Sequence, residues 1–197
     1  MDISKWQGAV DFAKVAASGI QFAILREGYR QAVDGKFFEY VNGCRANNIP
    51  VKGVYHFSYA LNAEQAAQEA AFCIKQMEQA GLGKDVIVFY DFEYDTVKKA
   101  KAKGVTLGKN ECIAFTKAFC EYVESHGYKA GVYSNIDYHR NMYSDEVLSK
   151  YVYWLADYTG SPDYDCALHQ YTSSGTVSGI DGKVDMDCLL YTSDAAD

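Results

Sequence analysis

The run Val86-Ile-Val-Phe-Tyr-Asp-Phe-Glu-Tyr-Asp95 joins a strongly apolar stretch to a group of acidic residues. A short apolar run of this kind is typical of a strand that is covered on both faces, as in a parallel sheet. Residues two apart on a strand point to the same side, about 6.6 Å apart along the chain. Asp91 and Glu93 are therefore predicted to project together from the carboxyl end of this strand.

Other β-rich runs surround this strand, and helical patterns alternate with them through most of the chain. We predict strands at residues 2–6, 22–27, 51–58, 86–93, 129–134, 152–156, 167–171 and 184–188, helices at 11–18, 35–47, 63–80 and 109–126, and a shorter helix after Asp137. Such alternation indicates a mainly parallel sheet wrapped by helices. Beyond Trp154 the gaps are short and carry Gly, Ser, Pro and Asp, so loops or hairpins should join the last three strands.

Eight strands with helices only in the first part predict an α/β fold, an eight-stranded barrel whose last third lacks crossover helices. Active sites in such barrels gather at the carboxyl ends of the strands. Asp2 opens the first predicted strand and Asp185 lies in the last, and these strands are neighbours in a closed barrel. Four carboxyl groups, those of Asp2, Asp91, Glu93 and Asp185, are thus expected to converge. Asp187 lies one strand period beyond Asp185, and the sequence separates the two poorly.

Two carboxyl groups in a partly desolvated cleft do not ionise together, and the more buried one keeps its proton near neutral pH. A carboxylic acid beside a carboxylate is the pair of groups that most glycoside hydrolases use to cleave a glycosidic bond. The D-x-E pattern of Asp91 and Glu93 is weak by itself, because it is also compatible with the solvated start of a loop.

Aromatic residues make up 15% of the chain, and 17 of them are tyrosines. Sugar rings stack on aromatic faces, and a tyrosine hydroxyl supplies a hydrogen bond. Five residues near predicted strand ends are candidates for a sugar-binding trough: Tyr55, His56, Tyr133, Trp154 and Gln170. The tyrosines are equally compatible with half-buried strand positions, and His56 with a hydrogen-bonded core histidine.

The chain has 197 residues, of which 49% are hydrophobic and 23% charged, as expected for one globular domain. Its net charge of −7 argues against nucleic-acid binding. No apolar run reaches the roughly 18 to 20 residues of a membrane span, and no charged segment followed by an apolar one precedes Asp2, so a targeting signal is either absent or already removed. We interpret the basic run Lys98, Lys99, Lys101 and Lys103 as solvated loop surface.

No pattern in the sequence indicates a metal or cofactor site. The six cysteines, Cys44, Cys73, Cys112, Cys120, Cys166 and Cys188, form no C-x-x-C pair and lack zinc-finger spacing. Nucleotide-binding, nucleophile-elbow and metalloprotease motifs are also absent. Reduced core thiols are favoured over a disulfide framework, because a chain of this length does not need covalent cross-links.

Six stretches carry a family resemblance. They are Asp-Ile-Ser-Lys-Trp-Gln-Gly (2–8), Phe-Tyr-Asp-Phe-Glu (89–93), Gly-Val-Tyr-Ser-Asn (131–135), Trp-Leu-Ala-Asp-Tyr (154–158), Gln-Tyr-Thr-Ser-Ser-Gly (170–175) and Val-Asp-Met-Asp (184–187). In order and spacing they resemble glycoside hydrolase family 25, the lysozymes often called the Chalaropsis type. The resemblance runs from Asp2 to about Asp187.

This resemblance implies a single irregular TIM-like (β/α)5(β)3 barrel over residues 1–187. It also implies hydrolysis of the β-1,4 bond between N-acetylmuramic acid and N-acetylglucosamine in bacterial peptidoglycan, with Glu93 as general acid/base. Asp91 then orients the acetamido group of the substrate or acts as nucleophile, and Asp2 and Asp185 match two further aspartates of the family. Residues 188–197 do not resemble the family's ending and are assigned to a tail of doubtful origin.

We accordingly expect a monomer that needs no cofactor, binds peptidoglycan, and binds neither nucleic acid nor membrane. It is expected to act outside the cell or at the cell wall, as a secreted enzyme or as a phage endolysin released on lysis. Two alternatives stay open from the residues alone. One is a hydrolase of chitin-type glycans, and the other is a non-catalytic barrel that binds cell-wall carbohydrate.

Overall fold

A computed structural model describes residues 1–190, in which nine strands form one sheet. They are β1 (Asp2–Ile3), β2 (Ala23–Tyr29), β3 (Ala32–Val33), β4 (Val51–Phe57), β5 (Ile87–Asp91), β6 (Ala130–Asn135), β7 (Val152–Ala156), β8 (Leu168–Gly175) and β9 (Val184–Leu189). The strand order β1-β9-β8-β7-β6-β5-β4-β2 is closed by pairing of β1 with β2, while β3 extends β2 as a short antiparallel arm. Only β9 runs antiparallel to its neighbours in the ring. The predicted α/β barrel of eight strands is confirmed.

The helices precede β7, as predicted. They are α1 (Phe12–Ala17), α2 (Phe37–Ala46), α3 (Ala63–Gln79), α4 (Tyr94–Ala102), α5 (Lys109–Ser125), α6 (Ile136–Asn141) and α7 (Asp145–Lys150). Loops alone connect β7, β8 and β9, because the intervening segments are too short and too rich in turn residues for crossover helices. Within residues 1–190, no helix has the length and apolarity to cross a membrane.

The first predicted strand, residues 2–6, is too long in comparison with the structure. After Ile3 the chain turns into a 3-10 helix, Lys5–Gln7. The backbone amide of Trp6 donates to Ser4 Oγ at 3.4 Å, and the Ser4 amide donates to Gln7 Oε1 at 2.8 Å. These capping bonds give the backbone an alternative to the sheet. They also place Trp6 at the rim of the barrel, where 76% of it is exposed.

The assignment of the basic run to a loop was wrong, since α4 contains Lys98, Lys99 and Lys101. Lys99 Nζ lies 2.7 Å from Asp95 Oδ2, one turn earlier on the same face, and Ala100 is buried against the core. Ion pairs four residues apart and a buried alanine both favour helix. The expected solvation of the lysines agrees with the structure, because all three are exposed.

The barrel interior is filled by Phe22, Ile24, Phe89, Trp154 and Leu168. Phe89 fits only because glycines flank it: a Cβ atom on Gly53 would come within 2.7 Å of its ring, and one on Gly131 within 2.4 Å. The interior is therefore a packed apolar core, as in other barrels with this strand number. This core separates a cavity at the carboxyl ends of the strands from another, of about 420 Å³, at their amino ends.

The six cysteines are unpaired, and five of them are buried. The exception, Cys188, lies in β9 opposite His169, and Leu189 pairs with Leu168. The first two residues of the predicted tail thus continue the last strand. Leu190 follows it, and the last seven residues of that tail, 191–197, lie outside the described part of the chain.

Candidate active site

A cavity of about 470 Å³ opens at the carboxyl ends of the strands. We call it the cleft; its lining residues are Asp2, Ser4, Trp6, Gln7, Arg26, Tyr55, Phe57, Asp91, Glu93, Tyr133, Trp154, Tyr158, Gln170, Ser173, Lys183 and Asp185. The four predicted carboxyl groups are all in this list. Asp2 and Asp185 are direct partners in the pairing of β1 with β9, which explains how residues at opposite ends of the sequence meet.

Strand β5 carries Asp91 as its last residue, and Glu93 follows just before α4. The amide of Glu93 donates to Thr96 Oγ1 at 3.3 Å, and the Thr96 hydroxyl donates to the carbonyl oxygen of Ser58 at 2.7 Å. This chain of bonds ties the backbone of Glu93 to the loop after β4. Asp91 is buried, whereas Glu93 is half-buried. Glu93 is thus the more accessible member of the pair.

The surroundings of this pair favour bound protons. Burial raises the pKa of Asp91 well above its usual range, and the negative charges of Glu93 and Asp2 act in the same direction, with partial compensation by the Arg26 guanidinium. Burial also raises the pKa of Glu93; its hydrogen bond with Asp91 acts against this, and the charge of Asp185 adds to it. Two such groups share a proton under conditions in which isolated carboxyl groups ionise.

Asp2 is held in place by Gln170, whose Nε2 donates to Asp2 Oδ2 at 2.7 Å. Gln170 Oε1 in turn accepts from the Tyr158 hydroxyl at 2.7 Å and from the Tyr133 hydroxyl at 3.2 Å. Burial raises the pKa of Asp2 strongly, and the charges of nearby aspartates, including Asp185, act in the same direction. One N–H of the Gln170 amide and its oxygen are thus bonded to protein groups, and Gln170 positions Asp2.

The structure distinguishes the roles of Asp185 and Asp187, which the sequence left unresolved. Asp185 lines the cleft, and burial raises its pKa. The side chain of Asp187 is buried, and its Oδ1 accepts a hydrogen bond of 2.9 Å from Trp154 Nε1. Asp187 therefore anchors the indole of Trp154, while Asp185 faces the open space.

His56 was predicted to line the trough, and the structure places it elsewhere. Alternation along β4 turns Tyr55 into the barrel and His56 toward the helices, where His56 Nδ1 lies 2.7 Å from Glu27 Oε2. Cys73 of α3 completes a buried group of three potential metal ligands, whose ligand atoms lie within 4.8 Å of one another. This group is behind the barrel wall and has no access to the cleft. His56 is therefore a hydrogen-bonded core histidine, which was the other interpretation that the sequence allowed.

Comparison with known proteins adds to this geometry. The family model described as glycosyl hydrolases family 25 matches residues 1–180. The chain belongs to glycosyl hydrolase family 25. The irregular TIM-like barrel and its carboxyl-terminal cleft agree with this assignment.

Relatives of this family 25 chain include lysozymes and proteins without a described role. It is 26% identical over 194 residues to the autolytic lysozyme of Clostridium acetobutylicum, covering 95% of this chain and 54% of that protein. It is 29% identical over 206 residues to the uncharacterized protein YegX of Escherichia coli strain K12, covering 98% of this chain and 69% of that protein. The chain thus spans about half the length of the Clostridium lysozyme.

Solved structures show the same barrel. The modular autolysin LytC from Streptococcus pneumoniae superposes with a TM-score of 0.83 at 26% identity, covering 95% of this chain and 45% of that one. The bacterial lysozyme from Streptomyces coelicolor superposes with a TM-score of 0.75 over 98% of this chain and 92% of that one. At 17% identity, the second comparison supports the fold alone.

The family 25 cleft contains two exposed aromatic residues that the sequence analysis did not select, Trp6 and Tyr158. Trp154, predicted as a stacking surface, is only 1% exposed and packs its ring against Tyr133 at 4.8 Å between centroids. It forms the floor of the cleft. Trp6 lies in the same sequence motif as Asp2, and this position could have marked it as a candidate. Its exposure depends on the 3-10 turn, which the sequence analysis did not predict.

Proposed function

We propose that this family 25 domain is an N-acetylmuramidase, a lysozyme that hydrolyses the β-1,4 bond between N-acetylmuramic acid and N-acetylglucosamine in bacterial peptidoglycan. The observation that carries the proposal is the Asp91–Glu93 pair, which lies in an open cleft and whose environment raises both pKa values. The relatives support the choice of substrate. One is named an autolytic lysozyme, and LytC has been solved in complex with a synthetic peptidoglycan ligand.

In the proposed reaction the proton that the pair shares passes from Glu93 to the glycosidic oxygen as the bond breaks, because Glu93 is the accessible member of the pair. The sugar then develops positive charge at its ring oxygen and anomeric carbon. The carboxyl groups of Asp2, Asp91 and Asp185 surround this region, and the ionised one among them stabilises the charge as it forms. Water completes the hydrolysis, and the carboxylate of Glu93 removes its proton, which restores the resting state of the pair.

Aromatic surfaces at the rim fit a polysaccharide substrate. Trp6 and Tyr158 are exposed over 76% and 53% of their surfaces, and each offers a ring face to the C–H side of a sugar. Tyr55 and Tyr133 contribute hydroxyl groups deeper in the cleft. We propose that these residues bind the glycan on either side of the bond that is cut.

The place of action follows from the substrate. Peptidoglycan lies outside the cytoplasmic membrane, so we propose that the enzyme works in the extracellular space or the cell wall. It reaches the wall either by secretion or, as a phage endolysin, by release at lysis.

The test is release of reducing ends from purified peptidoglycan, with mass spectrometry of the products after borohydride reduction. The wild type is expected to yield muramitol-ended fragments. Glu93→Gln is expected to lose about 10² to 10⁴ in rate, the usual contribution of general acid–base catalysis. The matched control is Glu78→Gln, which makes the same chemical change at an exposed position of α3.

Other products contradict the proposal in distinct ways. Glucosaminitol-ended fragments would show that the other glycosidic bond is cut. Cleavage of chitin oligomers in preference to peptidoglycan would favour a chitin-type hydrolase. Binding to cell walls without any release of reducing ends would favour a non-catalytic carbohydrate-binding barrel.

A further inference from the structure

A second cavity of about 420 Å³ adjoins the cleft, and we call it the basic annex. Its lining residues are Lys5, Trp6, Arg26, Tyr29, Arg30, Phe57, Tyr59, Asp95 and Lys99. Trp6, Arg26 and Phe57 line both cavities. A ligand chain that leaves the cleft past Trp6 therefore enters the annex directly.

The annex contains more positive than negative charge, although the whole chain carries −7. Arg26 is neutralised by Asp34, whose Oδ2 accepts from Arg26 Nε at 2.7 Å. Lys99 Nζ lies 2.7 Å from Asp95 Oδ2. The other two cations of the annex, Lys5 and Arg30, form no ion pair with a carboxylate of residues 1–190.

Aromatic rings hold these two cations in place without neutralising them. Lys5 Nζ lies 5.0 Å from the ring centre of Trp6 and 5.4 Å from that of Tyr29. The Arg30 guanidinium lies 4.6 Å from the ring centre of Tyr59. Cation–π contacts of this kind orient a cation while leaving its charge available to an anion. The annex thus combines two available positive charges with apolar ring faces.

We propose that the basic annex binds a carboxylate of the acidic peptide that peptidoglycan carries on its muramic acid residues. The inference rests on the proposed muramidase function and specifies which part of the substrate the enzyme binds besides the sugars. A peptide attached next to the cut bond has to leave the cleft along its wall, and the annex is the adjoining cavity. Ion pairing with Lys5 and Arg30 would fix the carboxylate, and the aromatic rings would cover apolar parts of the peptide.

The experiment compares two substrates prepared from one peptidoglycan sample from which teichoic acids have been removed, so that no phosphate is present. One keeps its peptides, and the other has lost them to an amidase. The quantity measured is the ratio of kcat/KM for the peptide-bearing substrate to that for the peptide-free strands. In the double variant with Lys5→Ala and Arg30→Ala this ratio is expected to fall about fivefold, as for two partly exposed ion pairs. The loss in kcat/KM on the peptide-bearing substrate is expected to come from a higher KM, with kcat unchanged.

Two controls separate charge from structure. Lys109→Ala removes an exposed lysine at the start of α5, outside both cavities, and should leave the ratio unchanged. The double variant with Lys5→Arg and Arg30→Lys keeps both charges and should retain most of the wild-type ratio. An equal loss on both substrates, or an unchanged ratio in the alanine variant, would overturn the proposal.

Binding provides a readout that does not depend on turnover. A soluble peptide-bearing disaccharide and its peptide-free counterpart are titrated calorimetrically into Glu93→Gln, with and without the two alanine substitutions. A peptide-dependent affinity that is lost with Lys5 and Arg30 supports the annex even if the wild type cuts neither substrate, in which case only the muramidase proposal fails. Equal affinities for the two ligands would contradict the annex proposal alone.

Discussion

The two faces of the barrel wall treat buried acids in opposite ways. On the outer face, toward the helices, Glu27 Oε2 lies 2.7 Å from His56 Nδ1, although Glu27 Oε1 and His56 Nε2 have no hydrogen-bond partner within residues 1–190. On the inner face, Asp91 and Glu93 lie beside further acids, and Asp91 Oδ1 is buried without a hydrogen-bond partner within residues 1–190. Glu27 on β2 thus has a basic partner on β4, whereas the Asp91–Glu93 pair at the end of β5 has acidic neighbours.

This contrast distinguishes buried acids that stabilise the packing from those that form a site. A compensated acid is costly to disturb, because removing one partner leaves the other buried and unsatisfied. An uncompensated acid costs folding free energy in every molecule, and proteins keep such groups mainly where chemistry requires a shifted pKa. We therefore expect substitutions on the outer face to change stability and those on the inner face to change activity.

The largest effect on stability is expected from His56→Ala. It leaves the Glu27 carboxylate buried without its partner, which should lower the free energy of unfolding by about 3–5 kcal/mol. Urea unfolding followed by circular dichroism measures this. Replacing the pair together, Glu27→Leu with His56→Phe, should recover most of the loss. A cost below about 1 kcal/mol for His56→Ala would mean that the outer pair is not the compensated group that we describe.

On the inner face, Asp91→Asn should reduce the rate of peptidoglycan cleavage by about 10² to 10³, the usual effect of losing one group that stabilises the transition-state charge. The free energy of unfolding should stay the same or rise, because the substitution removes the cost of holding a buried carboxyl group among other acids. Initial rates and urea unfolding of the same preparation give both quantities. Retained activity together with lowered stability would reverse the roles that we assign to the two faces.

The pH dependence of stability tests the same contrast. The pKa of Asp91 is raised in the folded chain, so its contribution to stability is complete below the unfolded pKa of about 4 and is lost as the pH rises through the folded value. The difference in unfolding free energy between the wild type and Asp91→Asn should therefore shift against the wild type from pH 4 upward, by up to about 1.4 kcal/mol per pH unit. Urea titrations at successive pH values measure it, and a difference independent of pH would contradict the raised pKa.

The smallest effect is expected at the rim. Trp6→Ala should raise KM for peptidoglycan about fivefold, which corresponds to about 1 kcal/mol of lost stacking. It should change the unfolding free energy by less than about 0.5 kcal/mol, since Trp6 is mostly exposed. Trp6→Phe should keep much of the binding. Phe38→Ala, at a partly exposed position of α2, is the matched control and should leave KM unchanged.

Much of the fold was readable from local patterns. The strand containing Asp91 and the helix containing Cys73 were predicted to within a few residues, because apolar runs and helical spacing depend on the local chain. The sequence missed β3 and α4, and a single helix was predicted after Asp137 where the structure has α6 and α7. The arm β3 has only two residues, Ala32–Val33. Helix α4 begins directly after the acidic pair, and its many charged residues are also typical of a loop. Short elements of this kind depend on tertiary contacts more than on local propensity.

By itself, the sequence determined the barrel, the D-x-E pair at the end of β5 and the family to which the chain belongs, since these depend on residue order and strand period. Three features depend on the folded arrangement: Asp185 and not Asp187 faces the cleft, His56 pairs with Glu27 behind the wall, and Trp6 is exposed. The physical reason is that a carboxylate or an imidazole acts according to its burial and its neighbours. Those neighbours come from strands far apart in the chain, and the closure of the barrel brings them together.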